Sequence, residues 1–173
     1  MRIKVFDGIL WGVTFLLVVT VFLMPDTVPL HWDENWQIDG YGSRYMFLIL
    51  AFIPMAIYYG MSLTKHIDPK RMNLEKRKKT YRLFQYGLTV FFLILAAFFE
   101  YSAFNPQQDG EQFVLLLVSV LLIGMGNYLP KIPQNYFFGV KTPWTLASEY
   151  VWKKTHKISG YCFILIGFIN GIS

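Results

Sequence analysis

The residues whose types could do chemistry gather in two polar stretches. The first carries His31, Trp32, Asp33, Glu34 and Asp39. An imidazole and three carboxylates could hold a divalent ion, but their spacing matches no standard site. An EF-hand loop opening at Asp33 needs glycine where Ile38 stands. The bland alternative is a tryptophan of the aromatic belt beside an Asp39-Gly40 turn. The second stretch carries Asn135, Gly139, Lys141, Pro143, Trp144, Thr145, Trp152 and His156, with Asn127 just ahead of it. Neither stretch suggests a nucleophile beside a base, so no catalysis is expected, and no metal or cofactor. His156, between Lys154 and Lys157, reads as an interfacial residue rather than a catalytic base. Asn127 reads as a helix-end amide or as a packing or functional hydrogen bond. Gly139 and Pro143 read as backbone devices: glycine permits positive φ, and proline pre-sets φ for a helix start.

The elements that must position these residues follow from hydropathy. The chain has 173 residues, 54% hydrophobic and 16% charged, where soluble domains carry about 25% charged residues. The charges fall between five apolar blocks, at about 6–24, 45–63, 83–104, 112–129 and 158–173. A helix needs about 20 apolar residues to cross a hydrocarbon core of about 30 Å. The fold class expected is therefore all-α, a polytopic transmembrane bundle forming a single membrane domain over 1–173. It has four firm spans and a fifth that is short, incomplete or interfacial. The first block lacks a small-residue cleavage site after it and reads as a retained helix. The lone Cys162 rules out an internal disulfide.

Of the 16 Lys and Arg residues, all but Arg44 fall on one side of this topology. The positive-inside rule puts that side, and the N-terminus, in the cytoplasm. The loop 25–44 is then outer, and the loops 64–82 and 130–157 are inner. In the first inner loop, Asp68-Pro69 reads as a turn, Asn73 as an N-cap, and Glu75 pairs with Lys79 four residues on. In the second, Thr142-Pro143 predicts a helix start. From there Trp144, Ala147, Val151, Thr155 and Ile158 form one stripe, which predicts an amphipathic helix that lies at the inner interface or feeds the last span. Trp144 and Trp152 are then expected on one face as an interfacial anchor. Asp7 and Glu100 sit near block ends, within reach of water. The spans otherwise hold almost nothing ionisable, which weakens a transporter reading.

Two stretches resemble the SdpI family of bacterial immunity proteins. The outer one is Val28-Pro29-Leu30-His31-Trp32 continuing to Asp39-Gly40-Tyr41-Gly42-Ser43. The inner one is more specific. It runs Gly126-Asn127-Tyr128-Leu129-Pro130-Lys131, Asn135-Tyr136-Phe137-Phe138-Gly139, Thr142-Pro143-Trp144-Thr145-Leu146, Val151-Trp152-Lys153-Lys154-Thr155-His156 and Ser159-Gly160. Lys141 departs from the arginine usual before Thr-Pro-Trp, keeping the charge but losing the planar fork. Family members typically continue through a sixth span, so this chain is expected to be a short or truncated member. The resemblance implies a multi-pass protein of the bacterial cell membrane, without catalysis, giving resistance to a secreted antibacterial toxin. It also implies a receptor that sequesters a transcriptional repressor at the membrane. The implied partners are membrane lipids, a toxin peptide outside and the repressor inside, with no direct contact to nucleic acid. The alternative is a small transporter or a lipid-binding membrane protein.

Overall fold

A computed structural model describes residues 2–35, 37–106 and 110–172. Among the described residues, four helices are long and apolar enough to cross a membrane: Val5–Leu23, Met46–Ile67, Lys78–Phe104 and Glu111–Lys131. At about 1.5 Å rise per residue, 19 to 27 residues reach across a core of about 30 Å. These helices leave large apolar side chains uncovered, such as Phe15, Leu16, Ile49 and Val120. Apolar lipid tails, rather than a protein core, suit such faces. By contacts the chain divides into two units, each described by itself.

One unit comprises Met1–Ile57 and Thr89–Phe113. Helix α1 (Arg2–Leu23) leads into strands β1 (Thr27–Trp32) and β2 (Ile38–Ser43), and α2 (Met46–Ile67) starts three residues later. The strands form an antiparallel hairpin, an addition to the all-helical expectation. Its register is irregular on either side of His31, which pairs with Gly40. Two glycines opposite bulky residues explain the close approach: a Cβ at Gly42 would lie 2.3 Å from Leu30 Cδ1. The outer stretch showed no alternation, because Pro29 and the two glycines interrupt it. Val21, Met24, Val28, Phe47 and Ala103 make one core cluster, and Leu17, Ala51 and Ala96 another. The small alanines let helices approach closely.

Arg44, set apart from the other basic residues in the expected topology, has local partners. Its Nη1 donates to the Met24 carbonyl at 2.7 Å, and its Nη2 pairs with Asp26 at 3.3 Å. It therefore ties the hairpin's exit to the end of α1. Glu100 departs from expectation: it is only 3% exposed. The Thr20 hydroxyl lies against both its Oε2 and the Leu17 carbonyl, a polar contact that a helix-end position alone does not reveal.

The other unit comprises Tyr58–Leu88 and Val114–Ser173. It contains the remainder of α2, then α3 (Arg71–Lys76), the start of α4 (Lys78–Phe104) and most of α5 (Glu111–Tyr128). A 3-10 turn (Leu129–Lys131), α6 (Pro143–Ala147) and α7 (Glu149–Asn170) follow. Helices α5 and α7 meet through small residues. A Cβ at Gly160 would lie 2.7 Å from the Gly126 carbonyl, and one at Gly167 2.9 Å from that of Ser119. Asn170 donates to the Leu115 carbonyl and to Ser119 Oγ.

Three local expectations are corrected in this unit. Lys70, not Asn73, precedes α3, while Asn73 Nδ2 donates to the Gln134 carbonyl at 3.1 Å. Glu75 pairs with Lys78 at 3.4 Å rather than with Lys79, because the helix breaks at Arg77. The amphipathic helix starts where expected, with Thr142 capping and Pro143 at the first turn, but stops at Ala147. Ser148 is extended (φ −131, ψ 122) and caps α7 through Val151 N. The break changes the buried face to Trp152, His156, Gly160 and Gly167. Trp144 is 72% exposed and Trp152 fully buried, so the two do not form one anchor.

Candidate functional site

In the first unit the hairpin places His31 and Asp39 across from each other. His31 Nδ1 and Asp39 Oδ1 are 2.5 Å apart on an exposed surface. Asp33 is occupied locally, its Oδ1 accepting from Asn35 N at 2.9 Å and Gln37 N at 2.8 Å. No group of three or more His, Cys, Asp or Glu suited to a metal occurs among the described residues. The Trp32 ring lies 5.7 Å from that of Phe99. The two help line an apolar recess of about 200 Å³ with Pro29, Leu30, Met46, Phe47 and Leu50. Such a recess suits an apolar side chain, and the His31–Asp39 contact adds an exposed polar one.

The second unit brings most of the candidate residues between Asn127 and His156 into one knot. The segment between the 3-10 turn and α6 is irregular and partly buried, with Ile132, Gln134 and Asn135 in the interior, so its inward-facing backbone polar groups need partners. Asn135, fully buried, supplies them. Its Oδ1 accepts from Phe137 N (2.9 Å) and Phe138 N (2.7 Å), and its Nδ2 donates to the Pro133 and Phe138 carbonyls. Gly139 then turns with φ +106. It has no room for a side chain, since a Cβ would lie 2.2 Å from His156 Nε2.

His156 is 1% exposed and stacked on Trp152 at 4.0 Å. Its Nε2 faces Val140 N at 3.1 Å, and its Nδ1 faces the Trp152 carbonyl at 2.9 Å. Val140 N–H can only donate and the carbonyl can only accept, so the ring is neutral with its proton on Nδ1. Burial pushes the imidazole below its ordinary range, and the bond to the Trp152 carbonyl opposes this. Trp152 Nε1 donates to the Ile132 carbonyl at 2.9 Å. Thr145 closes a capping box with Thr142 and also lies 3.0 Å from the Val140 carbonyl. Lys141 Nζ donates to the Tyr136 and Phe137 carbonyls, point contacts that do not require a planar fork.

Three residues lie apart from this knot or only frame it. Trp144 projects outward, Pro143 sets the start of α6, and Asn127 is exposed with its Nδ2 on the Ile123 carbonyl at 2.9 Å. Two residues that matter here were not singled out as site residues. Asp68, 1% exposed, accepts from Lys70 N at 2.6 Å and Tyr136 N at 3.0 Å. Gln134 accepts from Lys70 Nζ and donates to the Thr145 (2.7 Å) and Leu146 (2.9 Å) carbonyls. Asp68-Pro69 carried a turn signal, but nothing local announced the contact with Tyr136. Together they fasten the segment following α2 to the knot.

The fold defines a multi-pass α-helical membrane protein, with an exposed hairpin in one unit and a hydrogen-bonded knot in the other. The family model for the SdpI/YfhL proteins matches residues 131–173, which hold most of the knot. A domain of unknown function (DUF1648) matches residues 9–55, which hold the hairpin. The chain is 24% identical over 173 residues to the immunity protein SdpI of Bacillus subtilis (strain 168), covering 99% of this chain and 81% of that one. The chain is thus similar to SdpI proteins, in its last 43 residues by the family model and along its length by the relative. No solved structure matches it.

Proposed function

We propose that this protein protects its bacterial cell from a secreted antibacterial peptide and, as a second role, captures a transcriptional repressor at the membrane. The observation that carries the reading is the similarity to an immunity protein along 99% of the chain. In this reading the N-terminus is cytoplasmic, because the basic residues other than Arg44 share its side. The hairpin then faces outward, where the His31–Asp39 pair and the recess beside Trp32 offer a peptide one polar and one apolar contact. The buried knot supports the same reading as a scaffold: it holds exposed Trp144 and Lys141 in fixed places for a soluble partner.

The protein acts by binding, without catalysis. Toxin binding outside promotes repressor capture inside only if the two states of the protein bind the toxin with different affinity. Deleting the gene tests both roles at once. The expected result is greater sensitivity to the peptide and lower expression of the immunity operon. Unchanged sensitivity together with unchanged expression sinks the reading.

A further inference from the structure

A groove of about 550 Å³ runs between α4 and α5, within the unit that holds the knot. Its polar and charged lining residues gather at one end. Lys79 is the second residue of α4, and Lys131 ends the 3-10 turn after α5; Thr80 and Asn127 stand beside them. Beyond that end the walls are apolar, with Leu83, Leu88, Val120 and Leu121. Two lining glycines border open space: a Cβ added at Gly87 or Gly124 meets no atom within 4 Å, so only a larger side chain there would fill the groove. The stacked rings of Phe84 and Tyr128, 4.1 Å apart, line both this groove and the apolar cavity next to Gly139.

Length and charge together name the occupant. The lined stretch runs from Lys79 to Leu88 along α4 and from Val120 to Lys131 on the other side. At 1.5 Å per residue that is about 14–17 Å, or half of a hydrocarbon core of about 30 Å. One leaflet's acyl chain has this reach. Two ammonium groups at the polar end match a phosphate, and a zwitterionic lipid satisfies them less well because its own cation repels them. We propose that this groove seats one acyl chain of an anionic glycerophospholipid, with its phosphate between Lys79 and Lys131. The seat is independent of the immunity reading, since lipid retention is measured without toxin.

Native mass spectrometry of the purified full chain in detergent tests the seat. The probes are phosphatidylglycerol and phosphatidylcholine with identical acyl chains, and inorganic phosphate. The expected result is selective retention of phosphatidylglycerol that inorganic phosphate does not displace. Lys79→Gln and Lys131→Gln each lower that retention about fivefold, the effect of about one favourable interaction per basic residue near an anionic surface. Gly87→Leu with Gly124→Leu abolishes retention of both lipids. Lys154→Gln with Lys157→Gln, outside the groove, changes nothing. Because the lysines are exposed, their variants keep the test valid should the leucine pair not fold. Equal retention of the two lipids, full retention in both lysine variants, or displacement by inorganic phosphate overturns the proposal.

Discussion

Gly139 and His156 act as one fitting: the glycine leaves the space that the imidazole occupies. Gly139→Ala adds a Cβ 2.2 Å from His156 Nε2 at φ +106, a conformation costing a non-glycine residue about 1–3 kcal/mol before any clash. A clear fall in melting temperature in detergent is expected, against no fall for Gly124→Ala, where the added atom meets nothing and alanine favours the helix. An equal melting temperature for both variants contradicts the fitting. The same imidazole sets a pH dependence. It is held neutral in the fold, whereas an unfolded histidine takes up its proton near the ordinary value of 6.5. Below that pH the unfolded chain binds a proton that the folded chain does not, so stability falls as pH drops through 6.5 and is flat well above it. Protonation at Nε2 also removes the acceptor for Val140 N–H. His156→Gln is expected to flatten the fall in melting temperature from about pH 6.5 down to about pH 5, the window below the ordinary imidazole value. An unaltered slope places the titrating group elsewhere.

Among the elements, α5 and α7 depend on backbone contact. Gly160→Val is expected to cost about 1–3 kcal/mol through overpacking against the Gly126 carbonyl. Gly8→Val, with open space around it, is expected to leave the melting temperature unchanged. Equal effects contradict the contact. The four long helices were legible in hydropathy because span length and apolar composition are local properties. The start of α6 was legible too, since Thr142-Pro143 writes its own cap. The break at Ser148 was not: the apolar stripe continued through it, and only the burial of Trp152 decides which face counts. The hairpin stayed hidden because glycines and proline interrupt its alternation, and its pairing comes from contact across a turn. Most inner residues of the knot were singled out, yet Gln134 was not, because its bonds reach to Lys70, Thr145 and Leu146 rather than to neighbours in sequence.

For the molecule as a whole, membrane topology and protection are the properties at stake. Cys162 is the chain's single cysteine, so a Cys162→Ser background accepts single probes. Asp39→Cys in that background is expected to react with a membrane-impermeant thiol reagent in intact cells, and Arg71→Cys only after permeabilisation. The reverse pattern inverts the topology. The most direct measurement is survival of a sensitive bacterium expressing this chain and challenged with a panel of secreted killing peptides. It is run beside His31→Ala and Trp144→Ala variants shown to reach the membrane. Protection by the native chain against at least one peptide, weakened or lost in the inserted variants, is the expected result. No protection against any peptide contradicts the immunity role, and protection unaltered in both variants places its site away from His31 and Trp144.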